Sequence, residues 1–211
     1  MKLKIAFFSL ILLCSSSLFA KATTDLKLGG VYGYNKFFEQ ATYDAKDERN
    51  SLGFDLGIDV EITKHFGIFL NYDFLFPLEK EESDFNFFGL FYYSYPELKL
   101  KTHSIQGVEF VQYFNDNVKL RIGGPLAIEQ KFYEFGSDTF IETLVGPGLK
   151  LDTTFLFNKY FGLNLGVESS LYFWGWYLDI DNKDNAGMLH DFVEFNIIPS
   201  LSFVWHIGGE H

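Results

Sequence analysis

The stretch that decides the fold is residues 52–76, which read LGFDLGIDVEITKHFGIFLNYDFLF. Apolar residues occupy every second position from Leu52 to Ile62, and glycine, aspartate or glutamate stands between them. The alternation resumes after residues 63–65 and continues to Phe76. Because strand side chains alternate between two faces, this spacing predicts two strands with one apolar face each. The short polar segment between them predicts a tight hairpin turn.

The same period of two recurs along the chain and predicts eight strands in all. They lie at residues 26–34, 52–62, 66–76, 98–113, 118 onwards, 141–155, 161–173 and 193–207. Their connections alternate between short polar turns and long polar stretches. The long stretches lie near residues 36–50, 77–97, 129–139 and 178–189. The long loops therefore gather at one end of the sheet, and the short turns and both chain ends gather at the other.

The composition limits the class of protein. The chain has 211 residues, of which 47% are hydrophobic, 19% aromatic and 21% charged, and its net charge is −11. This length suits one domain with a sizeable core, and the content of apolar and aromatic residues is too high for a disordered chain. No basic stripe is available to neutralise phosphates, so we expect no nucleic-acid partner.

The N-terminus has the pattern of a secretory signal peptide, which predicts residues 1–20 as signal and 21–211 as the barrel domain. A basic start precedes the apolar run Ile5–Leu13, which is too short for a spanning helix. Cleavage after Ala20 or after Ala22 fits the small residues there. The chain's one cysteine lies within this segment, so its removal would exclude disulfides and cysteine-based zinc sites.

An eight-stranded meander of this length can close into a barrel, which leaves no edge strand. Two environments fit the alternation, because a lipocalin-like barrel turns its apolar face inwards and a membrane barrel turns it towards lipid. Long unbroken apolar faces favour the membrane, as do rings at strand ends such as Tyr113, Phe114 and Tyr172–Trp176, which suit aromatic girdles. The opposite face is rich in glycine and charge, which suits a narrow lumen.

With its signal peptide, alternation and rhythm of turns and loops, the chain resembles small eight-stranded outer-membrane proteins of the OmpA, OmpX and opacity-protein kind over residues 24–207. The resemblance implies an all-β fold, an eight-stranded antiparallel up-and-down transmembrane β-barrel with periplasmic termini. It also implies a monomer in the outer membrane of a Gram-negative-type bacterium, surrounded by outer-membrane lipid and inserted by the barrel-assembly machinery. Such proteins usually end on an aromatic residue, whereas Gly208–His211 follow the last strand predicted here.

The polar faces of the predicted strands carry charges of both signs, which must pair or hold water inside a tight barrel. The residues expected to form a lumen ion-pair network are Asp55, Asp59, Glu61, Asp73, Lys119, Arg121, Lys150 and Glu168. We expect Arg121 and Lys119 to lie at its centre, facing acidic residues of the second and third strands. Such a network would fill and stiffen the barrel, form a gated ion path, or support proton transfer or hydrolysis.

A second group of residues stands out in the long segment 77–97. Its rings are concentrated at Phe85, Phe87, Phe88, Phe91, Tyr92 and Tyr93. As a free loop they would form an exposed apolar patch, which normally marks contact with a ligand, lipid or host protein. The alternative is that the segment extends the neighbouring strands or packs into the barrel mouth.

No constellation predicts a catalytic or metal site. His103 and Ser104 are adjacent and therefore point to opposite faces, unlike the His and Ser two apart on one face that lipid A deacylases use. Ser202 and His206 share a face, which the predicted register turns towards the lumen. The acidic segment 179–184 lacks the glycine and glutamate of a calcium loop, and the histidines show no metal spacing. We therefore expect no catalytic residues, no metal and no cofactor.

These observations predict an outer-membrane barrel with a structural or surface-interaction role, acidic and aromatic loops facing outwards, and a charged, largely plugged lumen. Host or surface ligands would bind through the loops. The alternatives are a small channel or hydrophobic-ligand barrel, a lipid A-modifying enzyme, and a soluble lipocalin-type binder.

Overall fold

We describe a computed structural model of the chain over residues 22–39, 48–78, 97–135, 138–181, 186–189 and 192–208. The predicted signal peptide lies outside these residues, as do the rings between Phe85 and Tyr93. The described residues contain no helix that is long and apolar enough to cross a lipid bilayer.

All regular structure in the described residues is β-strand. The strands are β1 Thr23–Glu39, β2 Glu48–Thr63, β3 Phe66–Pro77, β4 Glu97–Asn115, β5 Val118–Phe135, β6 Asp138–Leu156, β7 Phe161–Tyr172, β8 Trp174–Asp179, β9 Ala186–Leu189 and β10 Phe192–Ile207. Each predicted strand is present, and the predicted tight turns follow β2, β4 and β6.

The strands form a closed antiparallel ring. Neighbours in sequence pair from β1 to β6, and β6 pairs with both β7 and β8, which continue one another along its edge. We call each strand position around the ring a stave. β9 and β10 share the stave next to that of β7 and β8, because β10 pairs with β7 and β9 pairs with β8. β10 also pairs with β1. The ring therefore has eight staves, which confirms the predicted up-and-down barrel and leaves its long strands without a free edge.

The two ends of the barrel differ as the sequence predicts. We call the end with the short turns and residues 22 and 208 the turn end, and the opposite end the loop end. Three of the four predicted long loops are shorter than expected, because strands continue into residues 36–50, 129–139 and 178–189. The prediction of a loop at 129–139 is wrong: β5 and β6 stay paired up to Phe135 and Asp138. Leu178 and Ala186 are likewise paired between β8 and β9.

The outside of the barrel is apolar and the inside is polar, which is the reverse of a water-soluble domain. Exposed large apolar side chains occur on every stave, and the most exposed is Phe203, at 73%. By contrast, Arg121 and Lys150 are 0% exposed although both carry charge. This distribution excludes the lipocalin-like alternative and matches a barrel with lipid outside.

Exposed aromatic side chains lie at both borders of this apolar surface. Those towards the loop end are Tyr32, Phe76, Phe173, Trp174 and Trp176, and a second set lies at the turn end. Exposed rings there include Phe66, Phe114, Phe157, Tyr160, Phe161 and Trp205. The assignment of Tyr113 and Tyr172 to the aromatic girdles is wrong. Tyr172 is fully buried and Tyr113 bonds to a carboxylate inside the barrel, because both lie at inward positions of their strands.

Candidate functional site in the barrel lumen

The buried charges of the lumen fall into three groups, which we name by position. The turn-end cluster comprises Asp25, Lys27, Asp59, Glu61, Glu109, Lys119, Arg121, Lys150 and Asp152. The central cluster comprises Asp55, Asp73, His103 and Glu168. The loop-end cluster comprises Lys101, Glu129, Lys131, Glu142 and Glu194. All of them lie at inward positions of their strands.

Arg121 connects several strands at the turn end. Its Nη2 donates to Asp25 on β1 and, at 2.6 Å, to Glu61 on β2, while Nη1 donates to Thr154 on β6 at 2.9 Å. Its Nε lies 3.3 Å from Glu109 on β4. One fully buried guanidinium therefore holds groups from four other strands, and hydrogen bonds to carboxylates of this kind are among the strong ones.

Lysines complete the turn-end cluster. Lys150 Nζ lies 2.5 Å from Asp59 and 3.0 Å from Glu109, and Lys27 Nζ lies 2.8 Å from Asp152 and 3.2 Å from Asp59. Each buried carboxylate of this cluster thus meets a cation. Such pairs are costly to break, because loss of one partner leaves a buried charge without compensation.

Lys119 provides the remaining cation of this cluster. Its Nζ lies 2.7 Å from Asp25 and 2.7 Å from Glu61. Asp25 and Lys27 are not among the lumen residues predicted from the sequence. They alternate with Leu26 and Leu28 in the first predicted strand, so the same period of two was the signal that could have found them.

The central cluster is built differently. Asp55, Asp73 and His103 lie directly opposite one another on β2, β3 and β4, and Glu168 reaches them from β7. The predicted partners Arg121 and Lys119 contact neither Asp55 nor Asp73. Among the described residues, no lysine or arginine lies within ion-pair distance of its three carboxylates.

Hydrogen bonds hold the side chains of the central cluster. Ser202 Oγ donates to both oxygens of Asp55, at 3.0 and 2.8 Å. His103 Nδ1 lies 2.7 Å from the Tyr172 hydroxyl, and Asn71 Nδ2 donates to Glu168 Oε1. Neutral groups therefore orient the acids and the imidazole, while their charge is left without a paired cation.

The loop-end cluster pairs two lysines with glutamates. Lys131 contacts Glu194, lies 3.2 Å from Glu142, and lies 3.7 Å from Glu129. Lys101 lies 3.3 Å from Glu129. An apolar group of Ala127, Leu144, Tyr172 and Phe192 is buried within the same half of the barrel. Side chains thus occupy the lumen at all three levels, and a small hollow lined by Asn35, Lys101 and Lys131 remains at the loop end.

The serine and histidine residues weighed as catalytic groups make separate contacts. Ser202 donates to Asp55, whereas His206 Nδ1 lies 2.5 Å from Asp25. His103 faces the lumen, and Ser104, on the opposite face, bonds to the Ile128 carbonyl. No hydrogen bond between a serine and a histidine side chain occurs in the described residues, so the hydrogen-bonded nucleophile and base of a triad are not assembled there.

Solved structures with the same architecture are small outer-membrane barrels. OprG of Pseudomonas aeruginosa aligns with a TM-score of 0.54 at 8% identity over 90% of this chain and 97% of its own. Neisserial surface protein A aligns with a TM-score of 0.53 at 9% identity over 87% and 97%. Ail of Yersinia pestis, in complex with the heparin analogue sucrose octasulfate, aligns with a TM-score of 0.51 at 13% identity over 89% and 99%. No protein-family model and no curated protein sequence matches the chain.

The closed ring, the apolar exterior and these similarities define the class of protein. The fold is that of the small eight-stranded outer-membrane β-barrels. The apolar exterior suits a membrane environment, and the similar solved structures are outer-membrane barrels. The protein is located in the outer membrane, as the sequence predicts.

Proposed function

We propose that this barrel is a plugged outer-membrane protein with a structural and surface-interaction role, its turn end in the periplasm and its loops at the cell surface. The observation that supports the plug is the turn-end cluster. Arg121 and Lys150 are completely buried among carboxylates from several strands, and a lumen crossed by such pairs has no continuous water path. An eight-stranded barrel leaves room for side chains and little else.

The surface role is supported by the lengths of the strands. β4, β5 and β6 have 19, 18 and 19 residues, whereas about 9–11 residues cross a bilayer. These strands therefore extend well past the lipid at the loop end and hold the connecting loops away from the membrane. The rings between Phe85 and Tyr93 follow β3 in sequence, and we propose them as the contact surface for a host or surface ligand.

A polyanionic ligand is disfavoured by charge. Ail was solved with a heparin analogue, but the net charge of the present chain is −11. Like charges repel at close range, so a neutral or apolar ligand suits the aromatic segment better.

Conductance in planar bilayers tests the plug. The refolded protein is expected to insert without discrete current steps, with a general porin as the positive control for the bilayer. Reproducible steps from the unmodified barrel would overturn the plugged lumen and favour the small channel instead.

We also propose that the barrel has no lipid-modifying activity, because the candidate serine and histidine side chains do not contact one another. Expression in a host with defined lipid A should leave the mass spectrum of that lipid unchanged. A host carrying the empty vector is the control, and loss of an acyl chain on expression would show that the barrel is an enzyme.

A further inference from the structure

The central cluster brings together three side chains that commonly bind metals. One nitrogen or oxygen atom from each of Asp73, His103 and Glu168 can be chosen so that all three atoms lie within 4.8 Å of one another. The residues come from β3, β4 and β7, so they converge only because the barrel is closed. Each is buried, with at most 3% of its surface exposed.

Several atoms of this group have no hydrogen-bond partner. Asp73 Oδ2, His103 Nε2 and Glu168 Oε2 are all buried and unsatisfied, although Nε2 lies only 3.2 Å from Oε2. Most buried polar atoms in proteins are hydrogen-bonded, and each exception needs a reason. Unsatisfied oxygens also occur in the turn-end cluster, but Asp59 Oδ2 lies 3.2 Å from Lys27 and Glu109 Oε1 lies 3.3 Å from Arg121. The three atoms of the central cluster have no lysine or arginine beside them, which points to a ligand that they share.

The charge of the cluster points in the same direction. Asp55 and Asp73 are directly opposite across the β2–β3 ladder, where like charges repel. Glu168 adds a third carboxylate, and no lysine or arginine of the described chain pairs with any of the three. In the turn-end cluster, Arg121 and Lys150 supply positive charge beside the buried carboxylates. The central cluster has no such lysine or arginine among the described residues.

We propose that the central cluster binds one divalent transition-metal ion through Asp73, His103 and Glu168. The ion supplies the positive charge that the side chains do not, and it ties β3, β4 and β7 together across the lumen. A donor set of one imidazole and two carboxylates suits Zn²⁺, Mn²⁺ or Fe²⁺. Donors about 2.0–2.2 Å from zinc stand roughly 3.4 Å apart, and His103 Nε2 and Glu168 Oε2, at 3.2 Å, are already close to that separation.

Hydrogen bonds orient two of the three proposed ligands for metal binding. When His103 Nδ1–H donates to the Tyr172 hydroxyl, Nε2 presents its lone pair to the lumen, which is the tautomer that binds a metal. Asn71 holds Glu168 Oε1 and leaves Oε2 free. These hydrogen bonds leave His103 Nε2 and Glu168 Oε2 free to bind the ion.

The proposal is tested by titrating the purified, refolded barrel with Zn²⁺ alone and measuring the binding by calorimetry. One ion per barrel is expected, together with a rise in the thermal unfolding midpoint, because the ion binds the folded state. Co²⁺ serves as the second probe, since its visible spectrum reports nitrogen and oxygen ligands. A one-to-one stoichiometry separates this site from loose binding by acidic loops.

Three substitutions separate ligands from neighbours. Asp73→Asn and Glu168→Gln keep the shape of the side chain and remove one like charge, so both barrels are expected to fold. Each substitution should weaken Zn²⁺ binding by more than the roughly 10- to 100-fold that is typical when a hydrogen-bond partner of a metal ligand is removed. Asp55→Asn is the matched control, since it removes the same charge beside the site but no ligand, and it should weaken binding only several-fold.

The role of the hydroxyl behind the imidazole needs its own variant. Tyr172→Phe should reduce Zn²⁺ affinity by about 10- to 100-fold and shift the Co²⁺ spectrum, while a purely packing role would leave that spectrum unchanged. No saturable binding to the unmodified barrel would overturn the site, as would equal affinity in Glu168→Gln. Neither result depends on conductance. Failure of the metal site and failure of the plugged lumen can therefore be distinguished.

Discussion

Arg121 contacts more lumen carboxylates than any other described residue, and its removal should disturb the barrel interior strongly. Arg121→Ala leaves Asp25 and Glu61 buried with less compensating charge. Breaking a buried pair in this way typically costs about 3–5 kcal/mol. Urea titration in lipid vesicles, followed by tryptophan fluorescence, should show this loss in the free energy of unfolding.

Lys64→Ala is the matched control for that experiment, since Lys64 is an exposed cation in the first turn. Its loss should change the free energy of unfolding by no more than about 0.5 kcal/mol. If both variants unfold at the same urea concentration, the turn-end cluster contributes nothing to stability. Arg121→Lys should fall between them, because an ammonium keeps the charge but not the forked geometry.

At the scale of the element, close approach of two backbones explains one glycine of β2. A Cβ atom at Gly53 would lie 1.7 Å from the Phe74 carbonyl oxygen on β3. Gly30 on β1 has open space, where the nearest atom to an added Cβ is 3.9 Å away. The backbone of β3 therefore leaves no room for a Cβ atom at position 53, whereas position 30 can accommodate one.

Gly53→Ala should therefore disrupt the β2–β3 ladder, while Gly30→Ala should be tolerated. We expect Gly53→Ala to lose at least about 2 kcal/mol, within the range of overpacking effects, and Gly30→Ala to stay within about 0.5 kcal/mol. The fraction of protein that keeps the faster gel mobility of a folded barrel without boiling reports the difference. Equal folded fractions for the two variants would contradict the close approach.

The extended hairpin β5–β6 shows where prediction from sequence stops at this scale. Glu129 and Lys131 made residues 129–139 resemble a solvated loop. In the structure both side chains turn into the lumen and meet Lys101 and Glu194 from other strands. A polar strand face and a polar loop are alike in composition, and only the opposite wall of the barrel distinguishes them.

At the scale of the whole molecule, the apolar belt predicts how stability depends on depth in the membrane. Leu56 is exposed near the middle of β2, and Ile62 is exposed at its turn end. Leu56→Arg should cost about 2–4 kcal/mol in vesicles, and Ile62→Arg about 0–1 kcal/mol, because lipid-facing arginine is most costly at the midplane. Urea unfolding of both variants in the same vesicles measures the two costs. Equal costs would contradict a belt that is centred on the bilayer.

The sequence by itself determined the number of staves, the apolar and polar faces and the alternation of turns with loops. These features are local, since each strand's own period of two assigns its side chains to opposite faces. The same pattern supported the location in the outer membrane once the fold showed which face is outside.

Only the tertiary structure decided which lumen charges meet. Register and closure bring together residues far apart in sequence, such as Asp55 and Ser202, which are 147 positions apart. The sequence predicts Asp55 and Asp73 as partners of Arg121, but the ring places them at another level, beside His103. A partner across a lumen depends on the stagger of all the strands between, and no strand encodes that stagger alone.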